Sequence, residues 1–135
     1  MDLTHRIIGA AMAVYRAFRL GLDEKIYENS RSIELNTQPL SFTQQQQFPV
    51  YYKIQSVGKL TADLIVECKV NVETKAASFI SDAHIAQTLS YLNISGLQVG
   101  LIPNFKEASL TIKRAANIYL KNPCNPWSNS SLSLS

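Results

Sequence analysis

Two β-rich runs, Lys59 to Glu67 (KLTADLIVE) and Val70 to Lys75 (VNVETK), follow one another almost without a break. A connection this short permits only an antiparallel hairpin. If Glu67 to Lys69 form the turn, Asp63 lies across from Glu73, and a shorter, two-residue turn makes them diagonal neighbours. Both arrangements leave the two side chains within reach. Glu73 and Lys75 are two positions apart on one strand and project from the same face. Strict alternation assigns Leu60, Ala62, Leu64, Val66, Val70, Val72 and Thr74 to the other face. Two carboxylates and an ammonium are thus expected together, on the side opposite an apolar stripe.

Two chemistries fit such a cluster. One is a cross-strand ion pair on a solvated face, contributing about 0.2–1 kcal/mol. The other is a divalent cation site, because hard carboxylate oxygens suit Mg²⁺ or Mn²⁺, which take one or two carboxylates and keep several waters. A lysine beside such an ion can orient a water or stabilise developing negative charge. The hairpin by itself leaves both open.

The rest of the chain supplies the frame. Ile7, Ile8, Ala11, Met12, Val14, Tyr15 and Phe18 have helical spacing over residues 3 to 18, with Asp2 or Thr4 as caps. Gly21 interrupts, as a residue that serves the backbone through positive φ or close approach. A second helix is expected from near Asp23, with Ile26, Ser30 and Ile33 on one stripe and Tyr27 packing inward. Thr37 to Gln47, with Pro39 and four glutamines, reads as a connection. Phe48 to Lys53 reads as a strand and Gln55 to Gly58 as turn-like. A helix over Ala83 to Asn93, a buried strand over Leu97 to Ile102 and a last strand over Ser109 to Lys113 complete the order. Helix, helix, three strands, helix, strand is the pattern of an α/β (α+β type) fold, a mixed sheet flanked by helices.

One domain is expected over residues 1 to 120, since 135 residues leave little room for a second core. Residues 121 to 135, rich in Ser, Asn and Pro, read as a flexible tail in which Trp127 is the one large aromatic. The formal charge of +3 permits a polyanionic partner without arguing for one. Lys53, Lys59, Lys113, Arg114 and Lys121 are candidate phosphate contacts or a solvated face. Cys68 and Cys124 are too few for a disulfide framework, and no apolar run approaches a membrane span, so a cytoplasmic protein without a membrane partner is expected.

Four short motifs occur in order: GLDEKIY at Gly21 to Tyr27, the Asp63 and Glu73-x-Lys75 hairpin, HIAQTLSYL at His84 to Leu92, and GLQVGLIPNF at Gly96 to Phe105. Together, over roughly residues 4 to 114, they resemble the bacterial GxxExxY family of the PD-(D/E)XK nuclease superfamily. Arg19 and Leu20 stand where that family carries glycine and proline, and Thr74 where it carries an aliphatic residue. The resemblance implies a restriction-endonuclease-like core, with Asp63 and Glu73 as metal ligands and Lys75 orienting water or stabilising charge. Glu24 would sit at the mouth as a further ligand, directly or through a water. Gln87 and Tyr91, one turn apart on a helix, would support the lysine and contact substrate. His84 is expected to be a partly exposed helix residue without a ligand role. The implied activity is metal-dependent hydrolysis of phosphodiester bonds, with Mg²⁺ or Mn²⁺ as cofactor and nucleic acid, DNA favoured, as partner. The alternative is a non-catalytic nucleic-acid-binding or regulatory domain that retains the nuclease fold. A homodimer supplying paired sites is compatible with the chain, which carries no heptad pattern to specify one.

Overall fold

A computed structural model describes residues 2–117. The tail, with Trp127 and Cys124, lies outside the described residues. The chain forms α1 (Leu3–Phe18), α2 (Glu24–Asn36), β1 (Phe42–Tyr52), β2 (Gln55–Val66), β3 (Val70–Val72), α3 (Asp82–Ser95), β4 (Val99–Asn104) and β5 (Thr111–Ala116). The five strands lie in one mixed sheet in chain order, with β3 and β4 parallel and the other neighbours antiparallel. The parallel pair needs a crossover, which α3 provides.

The centre of the sheet is buried on both sides, while β1 and the outer half of β2 are largely exposed. Ile7 and Ala10 of α1 and Leu35 of α2 pack with Leu64, Val66, Val70, Val72 and Leu101 on one face. On the other, Leu92 of α3 and Leu97 pack with Ala62, Ile65 and Ala115. Gly100 permits that second contact, because a Cβ there would meet Thr88 Cγ2 at 2.5 Å. α3 starts from a reciprocal cap in which Ser81 Oγ accepts from His84 N and His84 Nδ1 accepts from Ser81 N. His84 is therefore a capping residue.

Several boundaries differ from the sequence reading. The glutamine run is strand, since Gln44 pairs with Leu64, Gln46 with Ala62 and Gln47 with Thr61. Pairing with a strongly β-forming partner overrides the neutral propensity of glutamine. The hairpin turn is Lys53–Ile54, both at positive φ, and Gln55 to Gly58 belong to β2. Val57 has no Cα partner between the Val50–Gly58 and Tyr51–Ser56 pairs, so the ribbon bulges there. In α2 the buried stripe is Tyr27, Arg31 and Leu35, while Ile26 and Ile33 are exposed.

The apolar side of β2 is also not one stripe. Leu64 and Val66 face α1 and α2, whereas Ala62 packs in the layer of α3 and Leu60 lines a gap there with Tyr91, Ser95 and Leu97. The side chains change face across Asp63. Gln45, which the β1–β2 register places opposite Asp63, has φ +55 and breaks alternation on the partner strand.

Arg19, at the end of α1, has φ 57 and ψ −157, a region essentially restricted to glycine. Arg19→Gly is expected to stabilise the fold by about 1 kcal/mol, read as a rise of a few degrees in melting temperature. A fall would mean that the contact of the Arg19 guanidinium with the Tyr15 ring, 5.8 Å to the centroid, outweighs the strain.

Candidate active site

The hairpin turn comes first. Glu67 and Cys68 both have φ 53, and Lys69 N donates to Val66 O at 3.0 Å, which fixes Val66 opposite Val70 and Leu64 opposite Val72. One step further, this register sets Asp63 against Glu73. The β2–β3 ladder ends there. Beyond Val72 the chain stays bonded to β4 alone, through Glu73 N to Leu101 O, Lys75 N to Pro103 O and Phe105 N to Lys75 O, each 2.9 Å. The sheet forks, and Asp63 and Glu73 occupy the two sides of the fork.

Glu73 is only 8% exposed, and its Oε1 is buried without a hydrogen-bond partner. Its carboxyl is pushed up to about 7, by burial first and then by the charge of Asp63 and a hydrogen bond with it. Lys75, half-buried, and Asn71 oppose the shift. Tyr91, half-buried on α3, is raised by burial and then by Glu73 and Asp63, which places it among their neighbours. Gln87, one turn earlier, is exposed.

Each part of the Gly-x-x-Glu-x-x-Tyr segment now has a physical role. Gly21 has φ +111, the backbone freedom expected of it. Tyr27 is fully buried and stacks on Phe105 at 4.4 Å between centroids. Its hydroxyl donates to Arg19 O at 2.6 Å and accepts from Leu22 N at 3.1 Å, so it pins the α1–α2 connection. Glu24 Oε1 then accepts from Ala76 N at 3.1 Å, next to Lys75. Glu24 and Ala76 line a cavity of about 390 Å³ with Gly21, Leu22, Asp23 and Lys106. Asn104 holds the same segment from below, accepting from Ala77 N at 3.0 Å and donating to Ala77 O at 2.8 Å.

A family model of the PD-(D/E)XK nuclease superfamily matches residues 1–115. The chain belongs to this superfamily. No match is found among curated proteins or among solved structures. The α+β fold, a five-stranded mixed sheet with three helices, agrees with the restriction-endonuclease-like core of PD-(D/E)XK nucleases.

Around this cluster lie two groups that the sequence reading missed. Arg31 is 5% exposed, and its Nη1 donates to Thr74 Oγ1 while its Nε has no partner. Burial lowers its pKa, and the charges of Glu28, Asp63, Glu73 and Glu24 act against that loss. Glu28, half-buried, is raised by burial and then by Asp63. A guanidinium therefore lies behind the carboxylates as an internal counter-charge. Thr74, fully buried, gives it an acceptor that an aliphatic residue would not. The available signal was the spacing of Glu24, Glu28 and Arg31, which puts three charged residues on one helical stripe.

The donor set suits one hard divalent cation. Two juxtaposed carboxylates, one with a buried oxygen lacking a partner, match the one or two protein carboxylates that Mg²⁺ commonly takes. Among the described residues no three His, Cys, Asp or Glu side chains converge as ligands, and Glu24 is turned to the Ala76 amide.

Proposed function

We propose that the protein is a metal-dependent nuclease of the GxxExxY type that hydrolyses phosphodiester bonds in DNA. The observation that carries this reading is Glu73. A carboxyl buried against a second carboxyl, with one oxygen left without a partner, costs several kcal/mol if ionised and uncompensated. A bound cation offsets that cost. Asp63 and Glu73 would hold the ion, Mg²⁺ or Mn²⁺, and Glu24, at the mouth of the site, would contribute through a water. Such an ion, when bound, supplies activation of water and neutralises charge on the phosphate.

The chain's own residues do the rest. Lys75 orients the attacking water or stabilises the negative charge that develops at the phosphorus centre. Its position is fixed because its backbone N–H and C=O are both bonded to the β4 segment. Tyr91 lies beside the carboxylates, and Gln87 extends the same helix face toward substrate. No helix among the described residues is long and apolar enough to cross a membrane.

The test is cleavage of matched DNA and RNA substrates with Mg²⁺, with Mn²⁺ and with EDTA. Divalent-dependent cleavage of DNA is the expected result. Nucleic-acid affinity with no turnover under either metal would instead identify a binding domain that retains the nuclease fold.

A further inference from the structure

The β1–β2 ribbon has features that the core does not require. Between Glu34 and Asp63 the sequence contains no carboxylate, while Lys53 and Lys59 are both present. Tyr51 is 62% exposed and Tyr52 65%, and as consecutive strand residues they project from opposite faces. Lys53 Nζ lies 5.5 Å from the centre of the Tyr52 ring. Ile54, a β-branched residue at φ 62, is 96% exposed at the tip. Such a residue in the left-handed region is a genuine outlier, in a turn that favours Asn-Gly. The chain thus accepts strain to present an apolar side chain to solvent. Nearer the core, Gln44 to Gln47 are exposed and carry hydrogen-bonding groups without charge.

We propose that this ribbon is the arm by which the protein grips duplex DNA. The inference rests on the nuclease reading of the adjacent site and supplies the contact surface which that reading lacks. Charge complementarity points to a polyanion. Contact side chains on both faces point to a groove, because a groove wall meets each face of an inserted ribbon whereas a single strand lies along one. The major groove of B-DNA is about 12 Å wide and admits a two-stranded ribbon. The major groove of duplex RNA is too narrow. β2 itself carries the arm to the chemistry. At about 3.4 Å per residue, Lys59 lies roughly 14 Å and the start of β2 roughly 27 Å from Asp63, within one turn of duplex.

The experiment measures binding of a labelled DNA duplex, the matching single strand and an RNA duplex to the full chain by fluorescence anisotropy in EDTA, across a salt series. The variants are Tyr51→Ala/Tyr52→Ala and Lys53→Ala/Lys59→Ala, with thermal melts to show that both fold. The tyrosine pair is expected to weaken duplex DNA binding about tenfold. The lysine pair is expected to reduce the slope of log affinity on log salt by about two. Single strand and RNA should bind at least about tenfold more weakly than duplex DNA. Unchanged duplex affinity in both variants overturns the proposal, as does equal, arm-dependent binding of single strand. A parent dimer that the tyrosine variant dissociates, with DNA affinity intact, would instead make the arm a contact between copies of the chain. The two readings fail separately. Arm-dependent binding by a chain that cleaves nothing sinks the nuclease and keeps the arm, whereas DNA cleavage with affinity indifferent to the arm does the reverse.

Discussion

Lys75→Ala is expected to lower metal-dependent cleavage by about 10²- to 10³-fold, the loss typical of removing one preorganised stabilising group. Mn²⁺ affinity should change only a few-fold, because the lysine contributes charge beside the carboxylates and no ligand oxygen. Asp63→Ala removes a proposed ligand and should abolish both binding and cleavage. Calorimetric titration with Mn²⁺ and single-turnover cleavage separate the two cases. Activity that survives both substitutions would end the assignment of these roles. Equal loss of Mn²⁺ binding in both would make Lys75 a residue that only holds the site together.

The second large effect concerns pH and needs no substrate. The Glu73 carboxyl, with an ordinary value of 4.5, is pushed to about 7 in the folded chain. Between those values the folded state keeps a proton that the unfolded state has released. By linkage, its contribution to stability is complete below about 4.5, declines as pH rises toward 7, and levels beyond it. The shift corresponds to roughly 3–4 kcal/mol. Urea melts of the metal-free protein from pH 4.5 to 8 should show this decline relative to Glu73→Gln, which lacks the titrating group. The comparison matters because Glu28 is raised in the same direction and Glu67 is lowered by its hydrogen bonds to Ser41. Divalent metal should stabilise the parent most above pH 7 and Glu73→Gln little. A parent whose stability relative to Glu73→Gln is flat or rises over this window would contradict the buried-carboxyl account.

What is legible in the sequence follows from how local each feature is. Asp63 and Glu73 can be paired in advance because a short turn fixes the register, and Lys75 follows by parity. Arg31 is legible only as a charge on the stripe of Glu24 and Glu28, since its burial depends on Thr74, distant in sequence, and on carboxylates from three segments. The same holds for the strand character of Gln44 to Gln47, which their partners on β2 determine. The switch of face across Asp63 escapes because alternation assumes extended backbone throughout, and Gln45 departs from it. Glu24 is expected at the mouth of the site as a further ligand, directly or through a water, and the structure turns its Oε1 to the Ala76 amide. Its amide partner, Ala76 N, belongs to a loop whose path Asn104 and Tyr27 set together.

β1 has one more consequence, for solubility. It is the last strand of the sheet on its side, and its eleven residues, FTQQQQFPVYY, contain no charge. A long neutral edge with a glutamine run is a template for strand addition by another chain, and natural sheets usually guard such edges with lysine or proline. Two features protect this one. Pro49 removes a backbone donor, and the left-handed Gln45 interrupts the extended line. The left-handed Gln45, which breaks alternation opposite Asp63, thus also interrupts the edge along which a second strand would add.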